Sequence, residues 1–482
     1  MMKILTATSK VMLVCLLLLS SLFFPISQTA AKQDMKSTID TYIENFLEEH
    51  HIPGASVAIV HENDLFYSNS WGVTGESKEK VTTQTPFTIG SISKSLTGLA
   101  IMRLIDEETI HLEDPIKKYL PWFTLKDQQA TSQITIKHLL THTSGISTYS
   151  GLSISDKESK ESDAIQKNVK SLSNVKLTAT PGEKYQYSNA NFLILGALIE
   201  EVTHQTYSKY MEQQVFLPLN MKNAAADHHS AYKKGYLAGY QSWLGIPRKS
   251  SITYDTSGAP YGYIAASVED MAEYIQFLSQ HDHNQFLTDP NMHLYISSHV
   301  QTDENRYYGL GLRITNLDLG GKMIWHSGST PDSRAELFAI PETGWGGVIL
   351  TNKNHILEEA ALIHLRNGII DILNGEKPAD IPKSPPYTQI VVMGIIGLLF
   401  VLFATLLVQI QSKKIHKRKA WRIFGIVLLI LSISMIPSLI YRVGTPWHTL
   451  KVFAADIAFL TILMVILLAL NGILSIYHSV KR

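Results

Sequence analysis

Apolar positions in the first part of the chain change their period, and each period predicts a different element. Between residues 35 and 50 they recur at helical spacing, so one face of a helix would be apolar. From 55 to 71, two runs of strand-forming residues flank a polar break at 62–64, which is typical of a β-hairpin. A helix followed by two strands is therefore expected here.

Strand-like runs return farther along the chain and end in another helical pattern. Four strands are expected at 308–314, 322–325, 334–340 and 345–350, followed by a helix at 358–373. Apolar helical patterns lie between the two sets of strands. The pattern favours one mixed domain of the α+β class.

Two middle segments have signals of their own. Ser267 and Asp270 have the spacing of a capping box and are expected to begin an amphipathic helix. Residues 153–173 are polar and rich in charge, which predicts a surface loop able to gate access of a substrate.

The N-terminal segment has the pattern of a secretion signal. Lys3 and Lys10 precede an apolar run at 11–24, and small residues at 29–31 predict cleavage after Ala31, giving a signal peptide over 1–31. An uncleaved signal anchor is the alternative. The one cysteine, Cys15, lies inside the apolar run, which argues against a lipid anchor and leaves the mature chain without a thiol.

Near the C-terminus, a proline-rich linker over 376–387 separates the domain over 32–375 from a membrane domain over 388–482. Apolar segments at 387–410, 423–441 and 452–476 are each near the ~20 residues that a helix needs to cross a bilayer. Lysines and arginines follow the first segment and end the chain. The positive-inside rule therefore predicts a multi-pass membrane protein with a cytoplasmic C-terminus and the domain over 32–375 outside.

Asp456 is the one acidic residue within these segments. Ionisable residues inside a membrane are often functional, but Lys451 lies close by in sequence, so an interfacial position is an equally good interpretation.

Overall charge does not favour nucleic acid as a partner. The formal net charge is +0 and the pI is about 7.3, while 45% of the residues are hydrophobic. The partners expected are a lipid bilayer and a small molecule or peptide, with any protein partner undetermined.

Ser91 and Lys94 form a Ser-x-x-Lys pattern in which serine and lysine can meet on one face of a helix. The same spacing recurs at Ser77, Ser173 and Ser230, each followed by lysine three positions later, in polar surroundings. Only Ser91 is followed by a mostly apolar helical pattern, so it is the candidate nucleophile and Lys94 its candidate base.

Two further motifs follow in order. Tyr187 and Asn189 form a Tyr-x-Asn pattern before an apolar run; another copy begins at Tyr67, in the expected hairpin. His326 begins the sequence His-Ser-Gly-Ser at the end of a strand-like run, with Gly328 in its third position.

The ordered motifs resemble the serine β-lactamase and penicillin-binding-protein superfamily, specifically its class C-like branch with tyrosine in the second motif. Segments at 114–121, 136–145 and 262–267 are also similar to the family, and the resemblance runs from about residue 39 to about 373. It implies a β-lactamase/transpeptidase-like fold, with an antiparallel sheet built from both ends of the domain and a pocket beside a helical lobe.

The resemblance also implies roles for the site residues. Ser91 would form an acyl-enzyme while Lys94 and Tyr187 share the proton transfers, and Asn189 would bond Lys94 or the substrate amide. The N–H groups of Ser91 and Ser329 would form an oxyanion hole, with His326 and Gly328 beside the substrate. Lowering a lysine pKa from ~10.4 to near 7 costs about 4–5 kcal/mol, which a desolvated site can supply.

His326 departs from the lysine that penicillin-recognising relatives carry at this position. A histidine with a pKa near ~6.5 is mostly neutral at pH 7, so it does not provide a permanent charge for a substrate carboxylate. Efficient β-lactam hydrolysis is therefore not expected. Arg334 would restore a charge if it turned inward, but a surface position is the simpler prediction.

No cofactor or metal site is predicted. His138 and His142 are four residues apart, but the pair lacks the carboxylate of a zinc-protease motif, so structural hydrogen bonding is expected of both.

The favoured function is a membrane-anchored serine hydrolase acting outside the cell on an amide or ester of the cell envelope, such as a D-alanyl peptide or ester, with a β-lactam as a further candidate substrate. The alternative is a penicillin-binding sensor that signals through its apolar segments. Which substrate is used, and why three spans are present, stay open.

Overall fold

The structure is a computed structural model that describes residues 33–62, 64–75, 78–279, 286–317, 321–412 and 418–480. The expected signal peptide lies outside these residues, as do several of the basic residues on which the expected topology rests. The chain divides into two compact units. Among the described residues, one unit holds 33–50 together with His364–Lys383, and the other holds those of His51–Ile363 together with those of 384–480.

The helices of the described chain are numbered α1 to α16. In chain order they are 33–49, Ser93–Asp106, Gln128–Thr131, Ile136–Leu140, Thr148–Ser153, Ala164–Lys170, Asn189–Thr203, Tyr207–Met211, His228–Lys233, Val268–Ser279, Asp289–Tyr295, Glu359–Leu373, Tyr387–Gln411, Arg418–Val443, Trp447–Phe453 and Ala455–Val480.

The strands are numbered β1 to β13. In chain order they are Gly54–His61, Asp64–Gly72, Phe87–Thr88, Tyr240–Trp243, Ile246–Lys249, Ala265–Ala266, Val300–Asp303, Arg306–Tyr308, Arg313–Asn316, Lys322–Thr330, Ser333–Ile340, Trp345–Thr351 and Lys353–Asn354.

The smaller unit is built on α1, whose predicted apolar face is buried. Ile39, Ile43 and Phe46 are fully inaccessible to solvent. Tyr42 lies against Gly368, where an added Cβ would be 2.2 Å from the phenol oxygen, and the phenol donates a hydrogen bond to the carbonyl of Ala379 at 3.2 Å.

The larger unit contains the antiparallel sheet, in the strand order β2-β1-β12-β11-β10-β9-β8-β7. β1 lies between its hairpin partner β2 and the late strand β12, with Ala55 opposite Thr351. The prediction of a sheet built from both ends is therefore confirmed. Every residue of β11 is buried, so this strand runs through the core.

The single strand predicted at 308–314 is wrong, because β8 ends at Tyr308 and β9 begins only at Arg313. The intervening residues pack on α2. Gly311 has a φ of +96°, and an added Cβ at Gly98 would meet the carbonyl oxygen of Leu310 at 2.1 Å. Close contact with α2 therefore replaces continuous strand pairing.

The helical lobe corrects one prediction and confirms another. Residues 153–173 include α6, with Ile165 and Val169 buried, so they are not a surface loop. At the start of α10, the Ser267 amide donates to Asp270 Oδ2 at 2.9 Å, and the Asp270 amide donates to Ser267 Oγ at 3.2 Å. The predicted capping box is present.

Among the described residues, α13, α14 and α16 are long and apolar enough to cross a membrane. Residues 376–386, before α13, form neither helix nor strand. Gly425 on α14 and Gly472 on α16 bring two backbones together, since an added Cβ at Gly425 would lie 2.6 Å from the Gly472 carbonyl oxygen. Small residues commonly allow such close packing of apolar helices.

Candidate active site

Ser91 lies in a short helical turn, Gly90–Ile92, immediately before α2. Gly90 has a φ of +55°, and an added Cβ would lie 2.0 Å from the backbone nitrogen of Ser329. At Gly328, an added Cβ would meet the Ile89 carbonyl oxygen at 1.9 Å. These two glycines therefore let the nucleophile turn and β10 approach each other, with the Ser329 amide beside Ser91.

Lys94, in the first turn of α2, is fully buried. Its Nζ donates to the carbonyl of Tyr261 at 2.7 Å and lies 3.0 Å from Ser91 Oγ. Burial lowers the Lys94 pKa well below its ordinary value, and the nearby cation of Arg313 lowers it further. The side chain is therefore suited to act as a neutral amine base.

Tyr187 places its ring beside this amine, with Lys94 Nζ 4.8 Å from the ring centroid. Burial raises the phenol pKa above its ordinary value, although Arg313 and a hydrogen bond with Ser91 act in the opposite direction. The phenol is thus a protonated group that can donate and recover a proton next to the nucleophile.

His326 is buried and held as a neutral imidazole. Its Nδ1 must donate to the carbonyl of Ser327, 2.7 Å away, which leaves Nε2 as the acceptor, 3.4 Å from the Tyr308 hydroxyl. Burial lowers the His326 pKa well below its ordinary value, and the positive charges of Arg313 and Lys94 lower it further. His326 therefore does not provide a positive charge at neutral pH.

His142 orders the hydrogen bonds behind His326. His142 Nδ1 accepts from the amide of Ser188 at 3.1 Å and from Asn191 Nδ2 at 2.9 Å, so its Nε2 carries the proton and donates to the Tyr308 hydroxyl at 3.2 Å. His138 forms part of the capping box of α4. Both histidines therefore have structural roles, and the described residues contain no group of three potential metal ligands.

In Ser329, the hydroxyl forms hydrogen bonds within the protein, and the backbone amide lies beside the nucleophile turn. The hydroxyl donates to Glu359 and accepts from Asn354 Nδ2 at 2.8 Å. β9 pairs with β10 only as far as Trp325, so Gly90, rather than a strand, lies beside the Ser329 end of β10. This leaves the Ser329 amide at the site where an oxyanion would form.

Two side chains have partners that the sequence did not indicate. Asn189 Nδ2 donates to Ser155 Oγ at 3.0 Å and not to Lys94, so the other predicted partner, a substrate amide, stays a prediction. Arg334 is 6% exposed, donates to the Gly328 carbonyl at 2.6 Å and pairs with Glu336 at 3.0 Å, so the predicted surface position is wrong. Its charge is used to hold β10 and β11 together.

Sequence reasoning missed Arg313, which comes from β9 and belongs to no motif. Its guanidinium carbon lies 5.3 Å from the centroid of the Tyr187 ring and 5.7 Å from that of Tyr308. Within the part of the chain that the structure describes, no carboxylate lies at ion-pair distance from it. Arg313 therefore supplies the positive charge that His326 lacks. The sequence signal was weak: a cation in a strand leading toward the third motif.

Comparisons with known proteins identify the family of the chain. The Beta-lactamase family model matches residues 39–367. Protein flp from Staphylococcus aureus is 30% identical over 340 residues, which cover 70% of this chain and 67% of that protein. Penicillin-binding protein 4* from Bacillus subtilis is 25% identical over 371 residues, covering 73% of this chain and 79% of its own length.

A solved structure gives the same result for the fold. The octameric penicillin-binding protein homologue from Pyrococcus abyssi superposes with a TM-score of 0.62 and 25% identity, covering 75% of this chain and 81% of that one. The fold is therefore of the β-lactamase/transpeptidase type, and family members are generally serine hydrolases. The chain belongs to the serine β-lactamase and penicillin-binding-protein superfamily.

Proposed function

We propose that the protein is a membrane-anchored serine hydrolase that forms an acyl-enzyme at Ser91 on an amide or ester of the cell envelope. The observation that carries the proposal is the buried Lys94 amine, 3.0 Å from the Ser91 hydroxyl and with a pKa well below its ordinary value. A serine hydroxyl needs such a neighbour to become a nucleophile at neutral pH.

Acylation would begin when Ser91 Oγ attacks the substrate carbonyl carbon and its proton passes to Lys94 Nζ. The negative charge on the substrate oxygen would be stabilised by the amides of Ser91 and Ser329, and each such donor is worth roughly 3–4 kcal/mol in known enzymes. The Tyr187 phenol would protonate the leaving amine or alcohol and recover a proton from Lys94. Water would then attack the ester by the reverse sequence and release Ser91.

Substrate choice would depend on Arg313. A D-alanyl peptide ends in a carboxylate, and the guanidinium beside Tyr187 offers a cation to bind it, whereas the neutral His326 does not. Gly328 would keep β10 close enough to the nucleophile turn for the substrate carbonyl to enter, and Asn189 would meet the substrate amide after leaving Ser155. D-alanyl peptides and esters are therefore the preferred substrate class.

The proposed location is the cell membrane, with the hydrolase domain outside and the C-terminus in the cytoplasm. The length and composition of α13, α14 and α16 support spanning. The lysines between α13 and α14, together with the basic residues in the first turns of α14, support a cytoplasmic loop there. On this arrangement residues 32–375 form the hydrolase domain and 388–482 the membrane domain.

The test uses the full chain in lipid nanodiscs, wild type beside Ser91→Ala, with p-nitrophenyl esters, D-alanyl peptides and a chromogenic cephalosporin. We expect hydrolysis of esters and D-alanyl peptides that Ser91→Ala lacks, because the variant has no hydroxyl beside Lys94 Nζ to attack the substrate. The matched control is Ser230→Ala, which changes another Ser-x-x-Lys pattern and should hydrolyse at the wild-type rate.

Two results would contradict the proposal. Wild-type turnover by Ser91→Ala would mean that another residue is the nucleophile. Stoichiometric acylation of Ser91 without turnover would favour the alternative, a sensor that binds penicillin-like compounds.

A further inference from the structure

Residues 447–456, which we call the brace, join the apolar helices to the hydrolase domain. The brace comprises α15, Ala454 and the first two residues of α16. Hydrogen bonds outside Asp456 join the brace to the hydrolase domain: His448 Nε2 donates to the Asp156 carbonyl at 3.0 Å, Gln241 Nε2 donates to the Val452 carbonyl at 2.5 Å, and the Ile356 amide donates to the Phe453 carbonyl at 3.0 Å.

Asp456 is the last residue of the brace, and its side chain is buried, with 1% of the residue exposed. Its carboxylate accepts from His355 Nε2 at 2.9 Å, the Leu244 amide at 3.0 Å and Gln389 Nε2 at 3.1 Å. The Leu357 amide donates to His355 Nδ1, so the proton of a neutral His355 is on Nε2 and points at Asp456. Two of these three donors belong to the hydrolase domain. A buried carboxylate with this set of donors requires them to stay in place.

One edge of the active site begins at the residue next to His355. Asn354 Nδ2 donates to Ser329 Oγ at 2.8 Å and to the Thr330 carbonyl at 2.6 Å. Ser329 carries the amide that lies beside Gly90. A displacement of His355 would therefore move the neighbouring Asn354 side chain, which holds the Ser329 end of β10.

The other edge begins at Asp156, whose carbonyl accepts the bond from the brace. Asp156 Oδ1 accepts from the Tyr263 hydroxyl at 2.7 Å, and Tyr263 lies two residues after the carbonyl that binds Lys94. The preceding residue, Ser155, holds the amide of Asn189 at 3.0 Å. The brace thus contacts Asp156 and His355. Each lies next to a residue that bonds a candidate site residue: Ser155 bonds Asn189, and Asn354 bonds Ser329.

We propose that the brace fixes both edges of the active site, with Asp456 and His355 as positioning residues, so that hydrolysis by Ser91 depends on the docked apolar helices. The proposal rests on the proposed function, since hydrolysis is its main readout. The docked apolar helices would then do more than anchor the protein. Through the brace they would hold the Ser329 amide and the Tyr261 carbonyl, which binds Lys94, in position.

The experiment measures kcat and KM for an ester substrate with the full chain in lipid nanodiscs. We expect Asp456→Ala and His355→Gln each to lower kcat by about tenfold with KM nearly unchanged, because small misplacements of catalytic groups reduce the rate more than binding. The double variant should be no slower than the slower single variant, since both changes break the same contact.

The matched control is Asn471→Ala on α16. Asn471 Nδ2 donates to the carbonyls of Leu399 and Leu467 within the apolar helices, and its loss should perturb their packing without reaching the brace. We expect its kcat to stay at the wild-type value. A wild-type kcat in a folded Asp456→Ala protein, or an equal loss in Asn471→Ala, would overturn the brace.

Failure of the proposed function is distinguished by a second readout, hydrogen exchange at residues 354–356. Exchange there should be about tenfold faster in Asp456→Ala, because the brace stabilises this segment locally. If the wild type hydrolyses none of the substrates and exchange still accelerates, the proposed function fails and the brace stands. Unchanged exchange overturns the brace alone.

Discussion

Two regions of the molecule carry the same Ser-x-x-Lys pattern in opposite environments. At the start of α2, Lys94 is fully buried and in contact with Ser91. In α9, Ser230 lies in a first turn capped by Asp227, and Lys233 is exposed. The spacing is identical, but only one lysine has been removed from water.

The difference shows that burial, rather than spacing, makes the pair reactive. Lys94 Nζ contacts the Tyr261 carbonyl and lies beside the Tyr187 ring, and Gly90 and Gly328 bring β10 against the turn that carries Ser91. No comparable cover lies over Lys233. Removing the base itself, the Tyr187 phenol or the Arg313 charge, or measuring the pH dependence of the rate, would each test this difference.

Lys94→Met should have the largest effect. Loss of the base should lower kcat by about 10⁴-fold, since the serine hydroxyl then has no partner to take its proton. Lys233→Met is the control and should keep the wild-type rate. Steady-state hydrolysis of an ester measures both, and a Lys94→Met rate within tenfold of wild type would show that another group is the base.

Tyr187→Phe should have the next largest effect, a loss of roughly a hundredfold in kcat, because the leaving group no longer receives a proton from the phenol. Tyr67→Phe, in the other Tyr-x-Asn copy, should leave the rate unchanged. The loss should be smaller for an ester with a good leaving group than for a peptide. Equal losses on both substrates would argue against proton donation.

The pH dependence of kcat/KM should report the depressed pKa of Lys94. Activity needs the neutral amine, so the rate should fall by about tenfold per pH unit as pH drops below that pKa. Because burial places this pKa well below the ordinary lysine value, the rate should already be on its plateau under alkaline conditions short of pH ~10.4. A rate that still rises in this pH range would mean that the pKa of Lys94 is not lowered.

Arg313→Gln should have the smallest effect. KM for a D-alanyl peptide should rise by about tenfold, since a hydrogen bond between charged groups is lost, while KM for a neutral ester should not change. Arg248→Gln, an exposed change on β5, serves as the control. If both substrates lose equally, Arg313 shapes the site without binding the carboxylate.

The sequence predicted the parts of the site that lie within local motifs. Ser91 and Lys94 are separated by one helical turn, and His326 ends a run of strand-forming residues, so their relation follows from short-range geometry. The order of three motifs was enough for the family and for a sheet that combines β1 with β12. The buried face of α1 was predicted from the helical spacing of its apolar residues, which is also a short-range pattern.

The remaining parts depend on contacts between distant segments. The Tyr261 carbonyl binds Lys94 and the Arg313 charge acts on it, although both residues are more than a hundred positions away in the sequence. Arg334 is buried because it donates to the Gly328 carbonyl on the neighbouring strand β10 and pairs with Glu336 on its own strand β11. The break after Tyr308 follows from the approach to α2, a tertiary effect that overrides strand propensity.

The glycine contact between α14 and α16 limits how these helices can move. With Gly425 and Gly472 backbone to backbone, added atoms on either side would meet Ile476 or Leu429 within 3.0 Å. Rotation of one helix about its own axis would drive those larger side chains into the facing helix. A motion passed along this pair of helices would therefore be a shared tilt of both, not a twist of one.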